Sequence, residues 1–165
     1  MKGLTFATAV EADAEELASL RNAVATDMTL RFGLKSHNTT ARGILSDMRH
    51  GQIVLARYKN QIAGSLVLVK KKPWAIDISY FTPAQSPLYV RSMNTAPALQ
   101  HKGIGKSLLK AAIAEAKLRG CDAIRLDAFD APHGAGGFYT KCGFTERGRR
   151  TYRASPLVYF EWLMQ

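Results

Sequence analysis

Hydrophobic and polar positions alternate along the chain with two periods, and the places where the period changes mark the elements. Leu4 to Thr8 reads as a short strand. Leu17, Leu20, Val24 and Met28 then recur at helical intervals, which predicts an amphipathic helix over about 13–30. Thr8 with Glu11, or Asp13 with Glu16, has capping-box spacing at its start. Ile44, Leu45 and Met48 predict a second helix from Thr40 to Arg49, stopped by Gly51. Two β-branched runs follow, Ile53 to Tyr58 and Ile62 to Lys70, joined by Lys59-Asn60 as a tight hairpin turn. The stretch 71–87 holds three prolines among Trp74, Tyr80 and Phe81 and reads as a long ordered connection, with a strand near Ile76–Tyr80. Leu88 to Thr95 is the next strand. Ile104, Leu108, Leu109, Ala112, Ile113 and Ala116 mark one face of a strong helix, with Lys106, Lys110 and Lys117 opposite and Gly120 as its end. Ala123 to Phe129 alternates Ile124, Leu126 and Ala128 against Arg125 and Asp127 as a strand does. A short helix near 135–141 and strands at about 144–153 and 157–163 complete the order β-α-α-β-β-β-α-β-α-β-β, a mixed α/β (α+β) sheet covered by helices.

Composition narrows the class without naming a function. The 165 residues are 47% hydrophobic and 22% charged, enough for one compact domain with its own core. No apolar run reaches the roughly 18 residues that a membrane span requires. The first residues lack the apolar core of a signal peptide, so a cytoplasmic protein is expected. Cys121 and Cys142 lack ligand spacing and read as reduced, half-buried thiols; the dispersed histidines and cysteines give no metal site. The net charge is +10. Residues 1–30 carry five acids against two bases, and the rest carries 21 bases against 8 acids. Such a field favours an anionic partner. Without a basic tail, however, charge alone argues against nucleic acid as that partner.

The chemistry is concentrated in one turn. Gly103 and Gly105 stand between a strand and the strongest helix, in Gln100-His101-Lys102-Gly103-Ile104-Gly105-Lys106. Glycine permits close backbone approach, and a helix start offers unpaired N–H groups that suit a phosphate. A dinucleotide fingerprint is excluded because its third glycine position holds Leu108, and a P-loop because only Gly105-Lys106-Ser107 matches it. From spacing alone, a helix start that merely needed two glycines for a tight turn stays open.

Met93-Asn94-Thr95-Ala96-Pro97-Ala98-Leu99 leading into Gln100-x-x-Gly103-x-Gly105 resembles the acetyl-CoA signature of the GCN5-related N-acetyltransferases. Phe138-Tyr139-Thr140-Lys141-Cys142-Gly143-Phe144 resembles that family's Phe-Tyr-x-x-x-Gly-Phe segment. The two segments lie in the family's order, and the element order agrees along nearly the whole chain. The resemblance implies a single N-acetyltransferase domain over 1–165 with a mostly antiparallel sheet, using acetyl-CoA as acyl donor. It implies that the backbone of Met93, Asn94 and Thr95 pairs with the pantetheine arm. The N–H groups of Gln100, His101, Lys102, Gly103, Ile104, Gly105 and Lys106 would hold the pyrophosphate. Tyr139 would lie near the sulfur and serve as the acid that protonates the departing thiolate. A backbone N–H around Met93–Thr95 would polarise the thioester carbonyl.

The expected reaction is direct attack by a primary amine of a small molecule or peptide on the thioester. An acyl-CoA-binding regulatory module without turnover, and an acetyltransferase acting on aminoacyl-tRNA, are the alternatives. A homodimer is compatible with this reading. The candidate bases are Asp77, Asp127 and Asp130, or a water relay. Acceptor contacts would come from variable loops near Phe32–Asn38, 71–87 and Arg149–Pro156. One departure stands out: where the family often carries asparagine seven residues before the tyrosine, this chain has Pro132, followed by a glycine-rich stretch that weakens the short helix by about 1 kcal/mol per glycine.

Overall fold

A computed structural model describes residues 2–35 and 37–165; Met1, and Ser36 within the loop near Phe32–Asn38, lie outside the described residues. The elements are β1 (Leu4–Thr8), α1 (Ala14–Phe32), α2 (Ala41–His50), β2 (Gln52–Tyr58), β3 (Gln61–Val69), β4 (Pro87–Thr95), α3 (Ile104–Leu118), β5 (Ala123–Phe129), α4 (Gly136–Lys141), β6 (Thr145–Tyr152) and β7 (Ser155–Leu163). The sheet has seven strands in the order β1-β2-β3-β4-β5-β7-β6; β4 and β5 pair in parallel, while β1 with β2, β2 with β3, β5 with β7 and β6 with β7 pair antiparallel. The predicted element order and the mixed, mostly antiparallel architecture are both present. Two compact units share the chain, one from Met1–Leu68 with Ser92–Ala112, the other from Val69–Arg91 with Ile113–Gln165.

In the first unit, Lys59 and Asn60 both take left-handed φ (49° and 64°), which is what a two-residue hairpin turn matched to strand twist requires. Leu17, Ile44, Ile53, Leu55, Leu66 and Leu108 are almost wholly buried and form the core. The Arg21 guanidinium reaches Asp47 at 2.7 Å across α1 and α2. Asn22 exchanges two hydrogen bonds with the backbone of Thr39, holding the loop before α2. Neither expected capping box opens α1. Asp13 accepts the N–H of Val10 at 2.8 Å, closing a short 3-10 turn over Glu11–Asp13. Glu16 is drawn away from the helix start because it accepts the N–H of Ile62 at 2.6 Å and pairs with Arg57.

Gly64 on β3 has a packing reason. A Cβ there would stand 2.8 Å from the carbonyl oxygen of Asn94 and about 3 Å from Leu108 and Ile104. Its absence lets the end of β4 and the first turn of α3 settle on β3, and so fixes where the signature turn sits in this unit.

In the second unit, Ile78–Tyr80 forms a 3-10 turn where a strand was expected. Asp77 causes this: its carboxylate accepts the N–H of Ser79 at 3.0 Å and its hydroxyl at 2.7 Å, bending the chain out of extension. The Tyr159 hydroxyl then donates to the carbonyl of Ala75 and accepts the N–H of Asp77, pinning the connection to β7. Asp122 holds its far end through the N–H groups of Gln85 and Ser86, at 2.6 and 2.9 Å.

Candidate functional site

The two segments that resemble family motifs fall in different units, and each is built by its own part of the chain. In the first unit, β4 enters its last residues through Ser92, whose φ of 49° kinks the strand. The Asn94 amide donates to the Ser92 carbonyl at 2.8 Å and braces the kink. The N–H of Ala96 bonds to Ala63 of β3 at 2.9 Å. A 3-10 turn over Pro97–Leu99 follows, and the chain then reverses through His101 (φ 60°) and Gly103 (φ 82°) into α3. Nothing lies within 4 Å of a Cβ built on Gly103, so the backbone angle, not crowding, selects glycine there.

That reversal aims a run of backbone donors outward. The first bond into α3 is Ser107 N–H to the Gly103 carbonyl, at 3.0 Å. Among the described residues, no hydrogen bond is made by the backbone N–H groups of His101, Lys102, Gly103, Ile104, Gly105 or Lys106. His101, Lys102, Gly103 and Lys106 are exposed, so charge and donors face the same side as solvent. Gln100 differs from its expected role in part. Its N–H already points to Pro97 at 3.4 Å, and its side-chain oxygen accepts Arg31 of α1 at 3.2 Å. Arg31 had no mark in the sequence; the end of α1 supports the turn through it. Such a run of free N–H groups with the positive end of a helix dipole suits a phosphate.

In the second unit, Tyr139 lies on α4, buried against Phe138, Phe144 and Phe160 at ring-centre distances of 5.2, 6.0 and 5.5 Å. Burial, with smaller contributions from the negative charges of Asp127 and Cys142, pushes its phenol well above its ordinary value. Tyr139 therefore keeps its proton throughout the physiological range and is a hydrogen-bond donor there.

The candidate bases separate clearly. Asp77 is held below the usual carboxylate range by its bonds to Ser79, aided by Arg150 at 2.9 Å. Asp130 pairs with Arg149 at 3.1 Å. Both are engaged. Asp127 is half-buried in the middle of β5, opposite Tyr159 of β7, and takes part in no ion pair among the described residues. Burial raises its pKa, against smaller opposing effects of its own backbone N–H and of Arg91.

The neighbourhood of Asp127 is a sheet face. The bridge partners of β4 and β5 are Pro87–Tyr89 with Ala123–Arg125. By strand alternation Arg91, two residues past the last couple, shares the face of Asp127, and so do Arg125, Tyr159 and Glu161. Arg125 and Glu161 form a buried pair at 3.0 Å, with side chains 5% and 1% exposed. Each also binds the backbone of Thr82, Arg125 its carbonyl and Glu161 its N–H. The Phe81 ring covers the Arg125 guanidinium at 5.0 Å. The position read as a polar strand face is thus roofed by the 71–87 connection, which buries Arg125 and leaves Asp127 partly open.

Among the described residues, no group of three or more histidine, cysteine or acidic side chains could hold a metal ion, and no helix is long and apolar enough to cross a membrane. Cys121 is buried and Cys142 half-buried, and neither is in a disulfide among the described residues.

Solved structures share this fold at low identity. An acetyltransferase of the GNAT family from Listeria monocytogenes superposes with a TM-score of 0.76 at 15% identity, covering 98% of this chain and 95% of that one. The yncA protein of Salmonella typhimurium, solved with its cofactor acetyl-CoA, gives 0.71 at 16% identity over 99% and 95%. The ribosomal-protein-S18-alanine N-acetyltransferase of Escherichia coli gives 0.72 at 12% identity over 97% and 93%. A search of curated proteins finds no match. At these identities the superpositions establish the fold alone. The family model for acetyltransferases of the GNAT type matches residues 17–144, which takes in both the turn before α3 and the Tyr139 segment. The chain belongs to the acetyltransferase (GNAT) family.

Proposed function

We propose that this protein is an N-acetyltransferase that moves the acetyl group of acetyl-CoA to a primary amine by direct attack. The observation that carries the reading is the run of open backbone N–H groups from His101 to Lys106, at the start of α3 in a member of this family. These groups would hold the pyrophosphate, with Lys102 and Lys106 adding charge at the rim. The kinked end of β4, Met93 to Thr95, would pair with the pantetheine amides. The Salmonella relative, solved with acetyl-CoA, supports the choice of donor.

The chemistry then follows from two side chains. Asp127 receives the proton of the ammonium, freeing the nitrogen lone pair. The nitrogen bonds to the thioester carbonyl carbon, the carbon–sulfur bond breaks, Tyr139 donates its proton to the departing thiolate, and the nitrogen, now an amide, gives up its remaining extra proton to solvent. Burial suits the first role, raising the carboxylate toward a useful base; it also raises the phenol, which keeps Tyr139 a hydrogen-bond donor to the sulfur but makes it a weaker acid. Regeneration returns the proton from Asp127 to the Tyr139 phenolate through solvent. The whole chain acts as a single catalytic domain in this reading.

Thiol release from acetyl-CoA, followed across a panel of amines, tests it. Turnover of at least one amine is expected, falling by about 10²- to 10⁴-fold in Tyr139→Phe while acetyl-CoA affinity stays near that of the wild type. Tight binding of acetyl-CoA with no turnover of any amine would overturn the enzymatic reading in favour of a binding module.

A further inference from the structure

We infer that the acceptor is a small amine carrying an anionic group beside its amino group, chemically an α-amino acid, and that Arg91 selects it. This rests on the assignment of Asp127 as the base in the proposed acetyl transfer. The observation is a pair of opposite charges on one sheet face, coupled but not joined. Arg91 is exposed and takes part in no ion pair among the described residues. Asp127 is half-buried and also without such a partner. The two lie one past the other on adjacent parallel strands, two residues beyond Tyr89 and Arg125, and the charge of Arg91 acts on Asp127.

The other charged groups around this face are already committed. Arg125 is held by Glu161, and Arg150 by Asp77. Arg147 lies 3.5 Å from Glu161. The face therefore offers one free carboxylate and one free guanidinium to an incoming molecule. A zwitterion satisfies both at once, its ammonium on Asp127 and its carboxylate on Arg91, where a guanidinium can make two parallel hydrogen bonds. A polyamine or lysine-rich peptide would instead bring cations to Arg91 on a chain of net charge +10. A peptide N-terminus supplies the amine but no adjacent carboxylate.

The test compares kcat/KM for matched acceptors at saturating acetyl-CoA: a free amino acid, its carboxamide, its decarboxylated amine, and a dipeptide beginning with aspartate. Wild-type enzyme should favour the free amino acid over the carboxamide by 10-fold or more, with the aspartyl dipeptide no better than the carboxamide. Arg91→Ala should collapse that ratio to near one by slowing only the free acid, and Arg91→Lys should restore part of it. Lys117→Ala removes one charge from an exposed helix face and should leave the ratio unchanged, which separates a local contact from the general field. Equal thermal midpoints confirm that the variants fold. Turnover with no preference for the carboxylate, or a loss in Arg91→Ala that is the same for acid and amide, overturns this inference and leaves the acetyl-transfer reading standing. A preference for the aspartyl dipeptide equal to that for the free acid overturns it in favour of acidic peptides. Binding of acetyl-CoA with no turnover of any of the four, nor of a wider amine panel, overturns both.

Discussion

The turn before α3 and the sheet face around Asp127 do opposite things with the backbone. The turn works through main-chain groups. Its donors are N–H groups, its shape comes from left-handed φ at His101 and Gly103, and its side chains add only charge at the rim. The sheet face has its main chain tied up in ladders, so everything it offers comes from side chains that cover, pair with or leave exposed one another. A backbone site tolerates many side chains but few changes of φ. A side-chain site has the reverse sensitivity, and substitutions can separate the two.

The largest expected effect on stability is at the buried pair. Arg125→Leu strips Glu161 of its main partner in a site 1% exposed, and should lower stability by about 3 kcal/mol in urea unfolding, the low end for a broken buried pair because Arg147 stays at 3.5 Å. Arg125→Leu with Glu161→Leu should recover most of that loss. A recovery confined to the double variant would show that pairing, not the presence of charge, keeps the 71–87 connection on the sheet.

Asp127→Asn should divide activity from stability. The raised carboxylate pKa makes the wild-type rate rise with pH on a limb displaced upward from the ordinary carboxylate range, and the variant should lose that limb with about 10²-fold in kcat/KM. The sign for stability is opposite. A carboxylate whose folded pKa is raised binds its proton more tightly folded than unfolded. Its contribution is fully present below the unfolded pKa and is lost as pH rises through the folded one. The asparagine variant should therefore melt at or above the wild-type temperature at neutral pH while being slower.

Gly103→Ala probes the other region and should have the smallest effect. Left-handed φ costs a residue with a Cβ about 1–2 kcal/mol. Part of that cost appears as lower stability and part as weaker binding of acetyl-CoA, with kcat nearly unchanged. Calorimetric titration and a melting curve measure the two parts.

The same contrast explains what could be read from the sequence. The turn was legible because glycine and helix periodicity are local signals: Gly103 and Gly105 stand just where an apolar 3.6-residue period begins. The Lys59-Asn60 hairpin and the helix stop at Gly120 were legible for the same reason. Ile76–Tyr80 was misread as a strand because its β-branched and aromatic residues suit extension, while the Asp77–Ser79 bonds and the distant Tyr159 hydroxyl bend it. Arg125 and Asp127 looked like one polar strand face. Burying the first and half-burying the second needs Phe81 and Glu161, which lie far away in sequence, so alternation alone could name Asp127 only as one candidate base among three. Arg31 supporting Gln100 across 69 positions left no local signal at all.

The central claim is that the His101–Lys106 donors hold the phosphates of acetyl-CoA. A thermal shift with acetyl-CoA, CoA and NAD tests it most directly. At 100 times its dissociation constant a bound ligand adds about 2.7 kcal/mol of stability, a rise on the order of 5–10 °C for a chain of this size. Both CoA species should give that rise in wild type, NAD should give none, and Gly103→Ala should shift the concentration needed upward. No response to either CoA species, or an equal response in Gly103→Ala at every concentration, would contradict the assignment of the turn.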